Sequence, residues 1–247
     1  MSINPRDFFN ILCQNEIEFF TGVPDSLLKE FCLCIDDNTD KDSHIIAPNE
    51  GCSISLAAGY QIGSGKIPLV YMQNSGLGNA INPLLSLCDK EVYSIPMILM
   101  IGWRGEPGIK DEPQHIKQGA VQLKLLESIK IPFAIISKSE KNIEKIVVEG
   151  IENAKSRSAP FVFCIKKNTF SNYHKVEKNI DQKLLLRENA LSIILDTIPQ
   201  NSVVVSTTGK TSREIFEIRN QNNQSHNRDF LTVGSMGHCS SIALGIA

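Results

Sequence analysis

Two short, almost wholly apolar segments most constrain the fold of this chain. They are "IPLVYMQ" at 67–73 and "IPMILMIGW" at 95–103. Continuous apolar runs of strand length are typical of strands that are buried on both faces, as in parallel sheets. Segments with helical periodicity lie between these and further strand-like segments. The alternation predicts an α/β fold in which helices cover both faces of a parallel sheet.

The alternation is interrupted once along the chain. Residues 171–185 are mostly polar and charged, which predicts a linker between a domain at 1–170 and a second domain at 186–247. Helix and strand patterns resume in the second segment, where "SVVVST" and "FLTVGS" have strand character. About 60 residues are too few to enclose a parallel-sheet core alone. We therefore expect this second domain to be an incomplete fragment or to dock onto the first domain or a partner.

Composition and charge exclude several classes of function. The formal net charge is −2 and there is no polybasic run, which argues against binding to nucleic acid or to a membrane surface. The apolar stretches fall short of the roughly 20 residues that span a bilayer. The seven cysteines include no Cys-x-x-Cys pair and the five histidines are scattered, so no zinc site is predicted. We expect buried free thiols in a cytoplasmic protein.

The segment "SVVVSTTGKTS" at 202–212 invites comparison with a phosphate-binding loop. A Walker A loop requires Gly-x-x-x-x-Gly-Lys-Ser/Thr, and Val204 stands where its first glycine belongs. The sequence therefore argues against a P-loop nucleotide triphosphatase. A helix that begins after Thr207, Thr208 and Gly209 still offers backbone N–H groups to an anion.

Two further groups of polar residues have competing explanations. The loop at 103–117 follows a predicted strand, and α/β sheets bind ligands at the carboxyl ends of their strands. Its Arg, Lys and His residues favour a functional loop, although such charges most often face solvent. Glu50 in "NEGCSISLAAGY" at 49–60 precedes an apolar helix. A helix-terminal glutamate favoured by the macrodipole, by roughly 0.3–1 kcal/mol, is the ordinary explanation for it. Asp25 and Ser26 in "GVPDS" are likewise candidate helix caps.

Six segments taken together, and in this order, resemble a known family. They are "FTGVPDSLLKEF", "APNEGCSISLAAGY", "MQNSGLGNAINPL", "GWRGEPGIKDEPQH", "STTGKTSREIFEI" and "VGSMGHCSSIALGIA". The set resembles the phosphonopyruvate decarboxylases and the closely similar sulfopyruvate decarboxylases, which are thiamine-diphosphate-dependent 2-oxoacid decarboxylases. The resemblance implies a pyrimidine-binding domain at 1–170 and the N-terminal part of a diphosphate-binding domain at 186–247. It also implies a homo-oligomer whose cofactor lies between domains of two subunits.

The resemblance assigns roles to individual residues of this chain. Glu50 matches the glutamate that hydrogen-bonds the aminopyrimidine ring, and Asp25 and His115 match polar residues near the reacting carbon. Asn74, Ser75 and Asn79 match the loop at the pyrimidine edge of the cofactor. The matches in the second domain, near the diphosphate and over the ring, are Thr208, Gly209, Ser235, Met236, Gly237 and His238.

One part of the family pattern is not found in the sequence. The Gly-Asp-Gly stretch and downstream Asn that hold Mg²⁺ in the family would follow "ALGIA", which ends at Ala247. The resemblance therefore implies Mg²⁺ but names no metal ligand here. We expect the 247 residues to be truncated before this motif, and to be inactive by themselves if that motif is essential.

The implied reaction is decarboxylation of 3-phosphonopyruvate to phosphonoacetaldehyde and carbon dioxide, in phosphonate biosynthesis. The small 2-oxoacid substrate carries a carboxylate and a phosphonate, and Arg104, Lys110 and His115 are the candidate cations for binding it. Sulfopyruvate decarboxylation is an alternative that the sequence barely separates from this one. A non-catalytic subunit or interaction module is an alternative of another class. The intact "NEG", "PDS" and "DEPQH" segments argue against it.

Overall fold

The computed structural model describes residues 2–174 and 184–247. The chain divides into two compact units, Met1–Glu177 and Lys178–Ala247, which we call unit 1 and unit 2. The boundary between them falls inside the segment 171–185 that the sequence analysis assigns to a linker. Residues 175–183 of that segment lie outside the described residues.

Unit 1 is an alternation of helices and strands. Its elements are α1 (Pro5–Gln14), β1 (Phe20–Gly22), α2 (Lys29–Asn38), β2 (His44–Ile46), α3 (Glu50–Ser64), β3 (Leu69–Gln73), a 3₁₀ turn (Asn74–Gly76), α4 (Leu77–Pro83), a π-helical turn (Leu84–Cys88), β4 (Ile98–Gly102), α5 (Pro113–Ser128), β5 (Phe133–Ile136), α6 (Ile143–Arg157) and β6 (Phe161–Ile165). The six strands form one sheet in the order β2-β1-β3-β4-β6-β5. Every pairing in it is parallel, which confirms the predicted fold class.

The central strands are buried on both faces. Along β3, Leu69 and Tyr71 belong to one hydrophobic cluster, whereas Val70 and Met72 belong to another. The alternation arises because successive side chains of a strand point to opposite faces of the sheet. Helices α1, α2 and α6 contribute to the first cluster, and α3, α4 and α5 to the second. This double covering explains why the strand sequences are apolar almost throughout.

Unit 2 has the same alternation in a smaller form. It comprises α7 (Arg187–Thr197), β7 (Val204–Ser206), α8 (Lys210–Gln221), β8 (Asp229–Leu231) and α9 (Cys239–Ile246). The two strands are parallel. Leu195, Ile215 and Ile218 form its cluster of buried apolar side chains.

Two general expectations are tested by the described residues. No helix among them is both long and apolar enough to cross a membrane. All seven cysteines are free thiols, as predicted. Their burial is less uniform than expected, because Cys52 is exposed while Cys34, Cys88 and Cys164 are buried.

Candidate active site

Polar side chains of unit 1 collect at one edge of its sheet. Asp25 follows β1, Glu50 begins the helix after β2, Asn74 follows β3 and Arg104 follows β4. Because all six strands are parallel, their carboxyl ends lie along the same edge, where sheets of this class bind ligands. Residues far apart in sequence are therefore brought to one place.

Glu50 is buried although it starts a helix. Glu50 is 5% exposed, whereas a glutamate that only interacts with the helix end would face solvent. Asn79 Nδ2 donates a hydrogen bond to Glu50 Oε2 at 2.8 Å. A side chain on Gly76 would overlap the Glu50 carboxyl group. Glu50 Oε1 receives no hydrogen bond from any residue of the described segments, so one carboxylate oxygen is held and the other is open to a ligand.

Asp25 lies over the ends of β3 and β4. Gln73 Nε2 donates to Asp25 Oδ1 at 2.6 Å, and the Leu27 N–H donates to Oδ2 at 3.1 Å. Gly102, the last residue of β4, leaves the space that Oδ2 occupies. Burial raises the pKa of Asp25, while the Gln73 hydrogen bond and the charge of Arg104 oppose that rise. The site thus contains a buried carboxyl group whose pKa is raised above its ordinary value.

The helix-capping role expected of Asp25 and Ser26 is only partly found. Helix α2 begins at Lys29, and its N-cap Leu28 makes no side-chain hydrogen bond. Asp25 instead holds the turn that precedes the helix, through the Leu27 N–H. The Ser26 hydroxyl accepts a hydrogen bond from Arg104 Nη1 at 2.9 Å. The expected capping of α2 by Asp25 and Ser26 is therefore wrong in detail, because Asp25 holds the preceding turn and Ser26 is engaged by Arg104.

Asn74 joins the ends of two neighbouring strands. Its Nδ2 donates to the Arg104 carbonyl oxygen at 2.7 Å, and its Oδ1 accepts from the Arg104 N–H at 3.3 Å. Ser75 Oγ donates to Gln73 Oε1 at 2.6 Å. These side chains are engaged with the protein, so their predicted role toward a cofactor stays a prediction. Gln73 itself was missed by the sequence analysis, where only its position as the polar end of an apolar strand marked it.

Arg104 is held by an ion pair within its own loop. Its Nε donates to Asp111 Oδ2 at 2.8 Å and its Nη2 to Oδ1 at 2.5 Å. The Gly105 N–H adds a third bond to Asp111, at 2.8 Å. The Arg104 guanidinium holds the pKa of Asp111 well below its usual range. Lys110, by contrast, is exposed and makes no ion pair with a described residue.

His115 is a buried imidazole with an unused nitrogen. It lies in the first turn of α5 and is 9% exposed. Its Nδ1 has no hydrogen-bond partner among the described residues. Burial, followed by the charge of Arg104, lowers its pKa, while Asp111 and Asp25 act in the opposite direction. A neutral imidazole with an orphaned buried nitrogen is suited to exchanging a proton with a bound molecule.

The predicted residues of unit 2 lie at the carboxyl ends of its two strands. Thr208 Oγ1 donates to the Val233 carbonyl oxygen at 2.8 Å, which joins the two loops. Gly209 and Gly237 have φ values of +87° and +88°, in the region that favours glycine. Residues 235–238 are exposed, and they comprise Ser235, Met236, Gly237 and His238. The two loops at this end of the small sheet are thus joined by a hydrogen bond and accessible to solvent at 235–238.

The residues of unit 1 suit the pyrimidine half of thiamine diphosphate. The observations are the open Glu50 oxygen and the orphaned His115 Nδ1. No group of three or more potential metal-binding side chains occurs within residues 2–174 and 184–247. The described chain thus offers groups for an organic ligand and no cluster for a metal ion.

Comparison with known proteins agrees with this chemistry. Residues 6–125 match the family described as "Thiamine pyrophosphate enzyme, N-terminal TPP binding domain". The chain is 28% identical over 221 residues to phosphonopyruvate decarboxylase of Streptomyces viridochromogenes, covering 83% of this chain and 53% of the relative. It is 37% identical over 126 residues to sulfopyruvate decarboxylase subunit alpha of Methanococcus maripaludis, covering 51% of this chain and 72% of the relative.

A solved structure shares the fold. Benzoylformate decarboxylase from Polynucleobacter necessarius aligns with a TM-score of 0.51 at 16% identity, over 86% of this chain and 40% of that one. The chain spans about half the length of the phosphonopyruvate decarboxylase that it matches. The solved structure shows the shared fold, and the sequence matches carry the family assignment. The chain belongs to the family of thiamine-diphosphate-dependent 2-oxoacid decarboxylases that includes the phosphonopyruvate and sulfopyruvate decarboxylases.

Proposed function

We propose that this protein decarboxylates 3-phosphonopyruvate to phosphonoacetaldehyde and carbon dioxide with thiamine diphosphate as cofactor, in phosphonate biosynthesis. The observation that carries the proposal is the Glu50 carboxylate, which is buried, held through Oε2 and open at Oε1. The substrate is suggested by the Streptomyces viridochromogenes relative, which is named phosphonopyruvate decarboxylase and matches 83% of this chain.

Glu50 is the residue that would bind the pyrimidine ring. Its Oε1 would accept a hydrogen bond from the ring and hold the proton that is exchanged there. The hydrogen bond from Asn79 restricts rotation of the carboxyl group. Bound thiamine diphosphate supplies the electron sink that makes the loss of carbon dioxide possible. Asn74 and Ser75 would support the ring indirectly, because they fix the turn at 74–76 on which Glu50 packs.

Asp25 and His115 are the proposed proton donors and acceptors near the reacting carbon. The carbon that loses the carboxylate must gain a proton before the aldehyde is released. Both side chains are buried, and the charge of Asp25 opposes the lowering of the His115 pKa. The raised pKa of Asp25 makes its carboxylate a better proton acceptor, and the lowered pKa of His115 makes its protonated imidazole a better proton donor.

Arg104, Lys110 and His115 are the proposed cations for the substrate. Lys110 is exposed without an ion pair among the described residues, whereas the charge of Arg104 is balanced by Asp111. Lys110→Ala is therefore expected to raise the KM for phosphonopyruvate more than Arg104→Ala does. Equal and unchanged KM values in both variants would contradict the assignment of either residue to substrate binding.

The remaining parts of the proposal concern unit 2 and assembly. Thr208, Gly209, Ser235, Met236, Gly237 and His238 are proposed to contact the diphosphate side of the cofactor, with Mg²⁺ as its metal ion. The protein is proposed to be a cytoplasmic homo-oligomer with the active site between subunits. A relative that is named subunit alpha of a sulfopyruvate decarboxylase supports a multi-subunit assembly. Sedimentation equilibrium would test it, and a monomer that binds the cofactor at full affinity would contradict it.

Sulfopyruvate decarboxylation is the second candidate. It is favoured by the higher sequence identities, since relatives named sulfopyruvate decarboxylase subunit alpha are 37% and 35% identical over 126 residues. Both substrates are 2-oxoacids with a second anionic group, and the two groups differ in charge. Lys110 and Arg104 do not by themselves discriminate a phosphonate from a sulfonate.

One experiment separates these functions. Release of carbon dioxide is measured from phosphonopyruvate and from sulfopyruvate, with thiamine diphosphate and Mg²⁺, and kcat/KM is compared. A ratio that favours phosphonopyruvate at least tenfold would support the first proposal, and the reverse ratio would support the second. Glu50→Gln serves as the inactive control. Absence of turnover with both substrates in a chain that also carries the Gly-Asp-Gly metal motif expected after Ala247 would favour the non-catalytic subunit.

A further inference from the structure

A chain of hydrogen bonds leads from the 3₁₀ turn to Asp25. Ser75 Oγ donates to Gln73 Oε1 at 2.6 Å, and Gln73 Nε2 donates to Asp25 Oδ1 at 2.6 Å. The two bonds use both ends of the Gln73 amide. Because the Ser75 hydroxyl occupies the carbonyl end, the NH₂ end is directed at the carboxylate. The chain therefore has a direction, and Asp25 is its final acceptor.

An amide is suited to this position for an electrostatic reason. It donates a hydrogen bond that favours the charged form of a carboxyl group, and it adds no charge of its own. A lysine would cancel the charge of Asp25, and a glutamate would repel it. The second oxygen of Asp25 is held by the Leu27 N–H and lies in the space left by Gly102. Both oxygens of Asp25 are thus fixed by the protein.

We propose that Gln73 is a positioning residue, which keeps the buried Asp25 carboxylate ionised and fixed in orientation for the decarboxylation. The inference rests on the proposed function of Asp25 and adds a residue to which no role has been assigned. Ser75 acts one step further away, by fixing which end of the Gln73 amide meets Asp25.

The ionisation of Asp25 responds to several groups besides Gln73. Burial is the largest influence and raises the pKa of Asp25, whereas the Gln73 bond and the Arg104 charge lower it. The charged or titratable side chains that interact with Asp25 or line the same cleft are Lys29, Cys32 and Asp36 of α2, His44 of β2, Tyr71 of β3, Arg104 after β4 and His115 of α5. A test must therefore alter Gln73 while leaving these groups in place.

The test is a titration of Asp25 by carbon NMR. The protein is labelled with ¹³C in its aspartate carboxyl groups, and the Asp25 signal is identified by its loss in Asp25→Asn. In Gln73→Leu the carboxylate loses a donor, so its acid dissociation constant is expected to fall about tenfold and its midpoint to move to higher pH. Gln122→Leu is the matched control, because Gln122 is a buried glutamine whose amide contacts Cys164 rather than Asp25.

Further variants keep the inference falsifiable if Gln73→Leu fails to fold. Gln73→Glu preserves the shape and places a second carboxyl group beside Asp25, so the Asp25 midpoint is expected to move to higher pH there also. Ser75→Ala releases the Gln73 amide, and a smaller move in the same direction is expected. An Asp25 midpoint within 0.2 pH of the parent in every folded variant would overturn the inference.

Failure of the inference and failure of the proposed function give different results. The NMR titration needs neither substrate nor cofactor, so it reports on Gln73 even if no oxoacid is turned over. If the protein decarboxylates phosphonopyruvate, the acidic limb of kcat is expected to move to higher pH in Gln73→Leu, with a smaller change in KM. If the Asp25 midpoint moves in Gln73→Leu but the acidic limb of kcat does not, the ionisation of Asp25 does not limit the reaction. That result would overturn the role of Gln73 in the decarboxylation.

Discussion

The two units share an alternation of helices and parallel strands but differ in how completely their strands are buried. Every residue of β4 and β6 in unit 1 is buried, whereas β8 in unit 2 has no buried residue. Unit 1 covers both faces of its sheet with helices, and its polar site residues are enclosed with their partners. In unit 2 the predicted site residues at 235–238 are exposed.

The difference affects how firmly each unit holds its own predicted site residues. A buried polar group is costly unless it is hydrogen-bonded, so the groups of unit 1 are held in defined orientations. The protein holds one carboxylate oxygen of Glu50 and both carboxylate oxygens of Asp25 by hydrogen bonds. The loops of unit 2 instead present backbone at positive φ, as at Gly209 and Gly237. Unit 1 therefore holds its predicted site residues in defined orientations, whereas the predicted residues of unit 2 at 235–238 are exposed to solvent.

The largest expected effect is the loss of the Glu50 carboxylate. Glu50→Gln is expected to lower kcat for decarboxylation by about 100-fold to 10,000-fold, because an amide cannot hold the exchanged proton. Glu188→Gln is the matched control in unit 2, since Glu188 is an exposed glutamate in the first turn of α7. It is expected to change kcat less than twofold. Similar kcat values for Glu50→Gln and Glu188→Gln would contradict the role proposed for the Glu50 carboxylate. Circular dichroism should show an unchanged fold.

Core substitutions compare the burial of the two units directly. Leu126 in unit 1 is fully buried, and Leu126→Ala is expected to lower the free energy of unfolding by about 2–5 kcal/mol. Trp103 is the sole tryptophan of the sequence and lies in unit 1, so its fluorescence reports this transition in denaturant. Leu195→Ala in unit 2 is expected to cost less, measured by amide hydrogen exchange in α8. A larger loss of unfolding free energy in Leu195→Ala than in Leu126→Ala would show that burial does not explain the relative stability of the two units.

Alanine substitutions at two glycines with positive φ distinguish the cost of steric overlap from the cost of backbone strain. Gly105 has φ +67°, and a Cβ there would overlap the His115 carbonyl oxygen, whereas a Cβ on Gly237 meets no described atom. Gly237→Ala is expected to cost about 1 kcal/mol from strain alone. Gly105→Ala is expected to cost about 2 kcal/mol more, because the start of α5 must move. Thermal unfolding of both variants tests this, and equal melting temperatures would contradict it.

The smallest expected effect concerns two bidentate ion pairs. The lowered pKa of Asp111 means that its pair with Arg104 contributes stability above the pKa of an unfolded aspartate, about 3.9. That contribution is lost as the pH falls toward the folded pKa. Asp111→Asn is expected to cost about 1 kcal/mol at pH 7, with the cost shrinking below pH 4. Glu214→Gln, which breaks the exposed pair with Arg187 in unit 2, is expected to cost less. Denaturant unfolding at pH 7 and pH 3.5 provides the measurement, and a cost for Asp111→Asn that does not change with pH would contradict the assignment.

Much of the fold of unit 1 follows from local patterns in the sequence. The apolar segments at 67–73 and 95–103 contain β3 and β4, since strands buried on both faces cannot carry polar residues at their centres. Asp25, Glu50 and Asn74 follow strands β1, β2 and β3. Once the sheet is parallel, those positions share an edge. The strand order of the sheet was not predicted, because it depends on helix packing between distant segments.

The contacts inside the candidate site were not readable from the sequence. Arg104 was selected as a substrate-binding cation, yet Asp111 balances its charge and Ser26 accepts a hydrogen bond from it. The sequence did not predict a role for Gln73, because its hydrogen-bond partner Asp25 follows a different strand. Such pairings depend on distances of about 3 Å between side chains from separate elements, which spacing along the chain does not encode.

The sequence by itself determined which side chains reach the ligand edge, because periodicity and polarity are local properties of the chain. Only the tertiary structure decided what each of them does there. It left Oε1 of Glu50 open and engaged Oε2, paired Arg104 with Asp111, and set Gln73 against Asp25. The physical reason is burial. Once water is excluded, each polar group must find a partner within the fold, and the choice of partner fixes its charge and orientation.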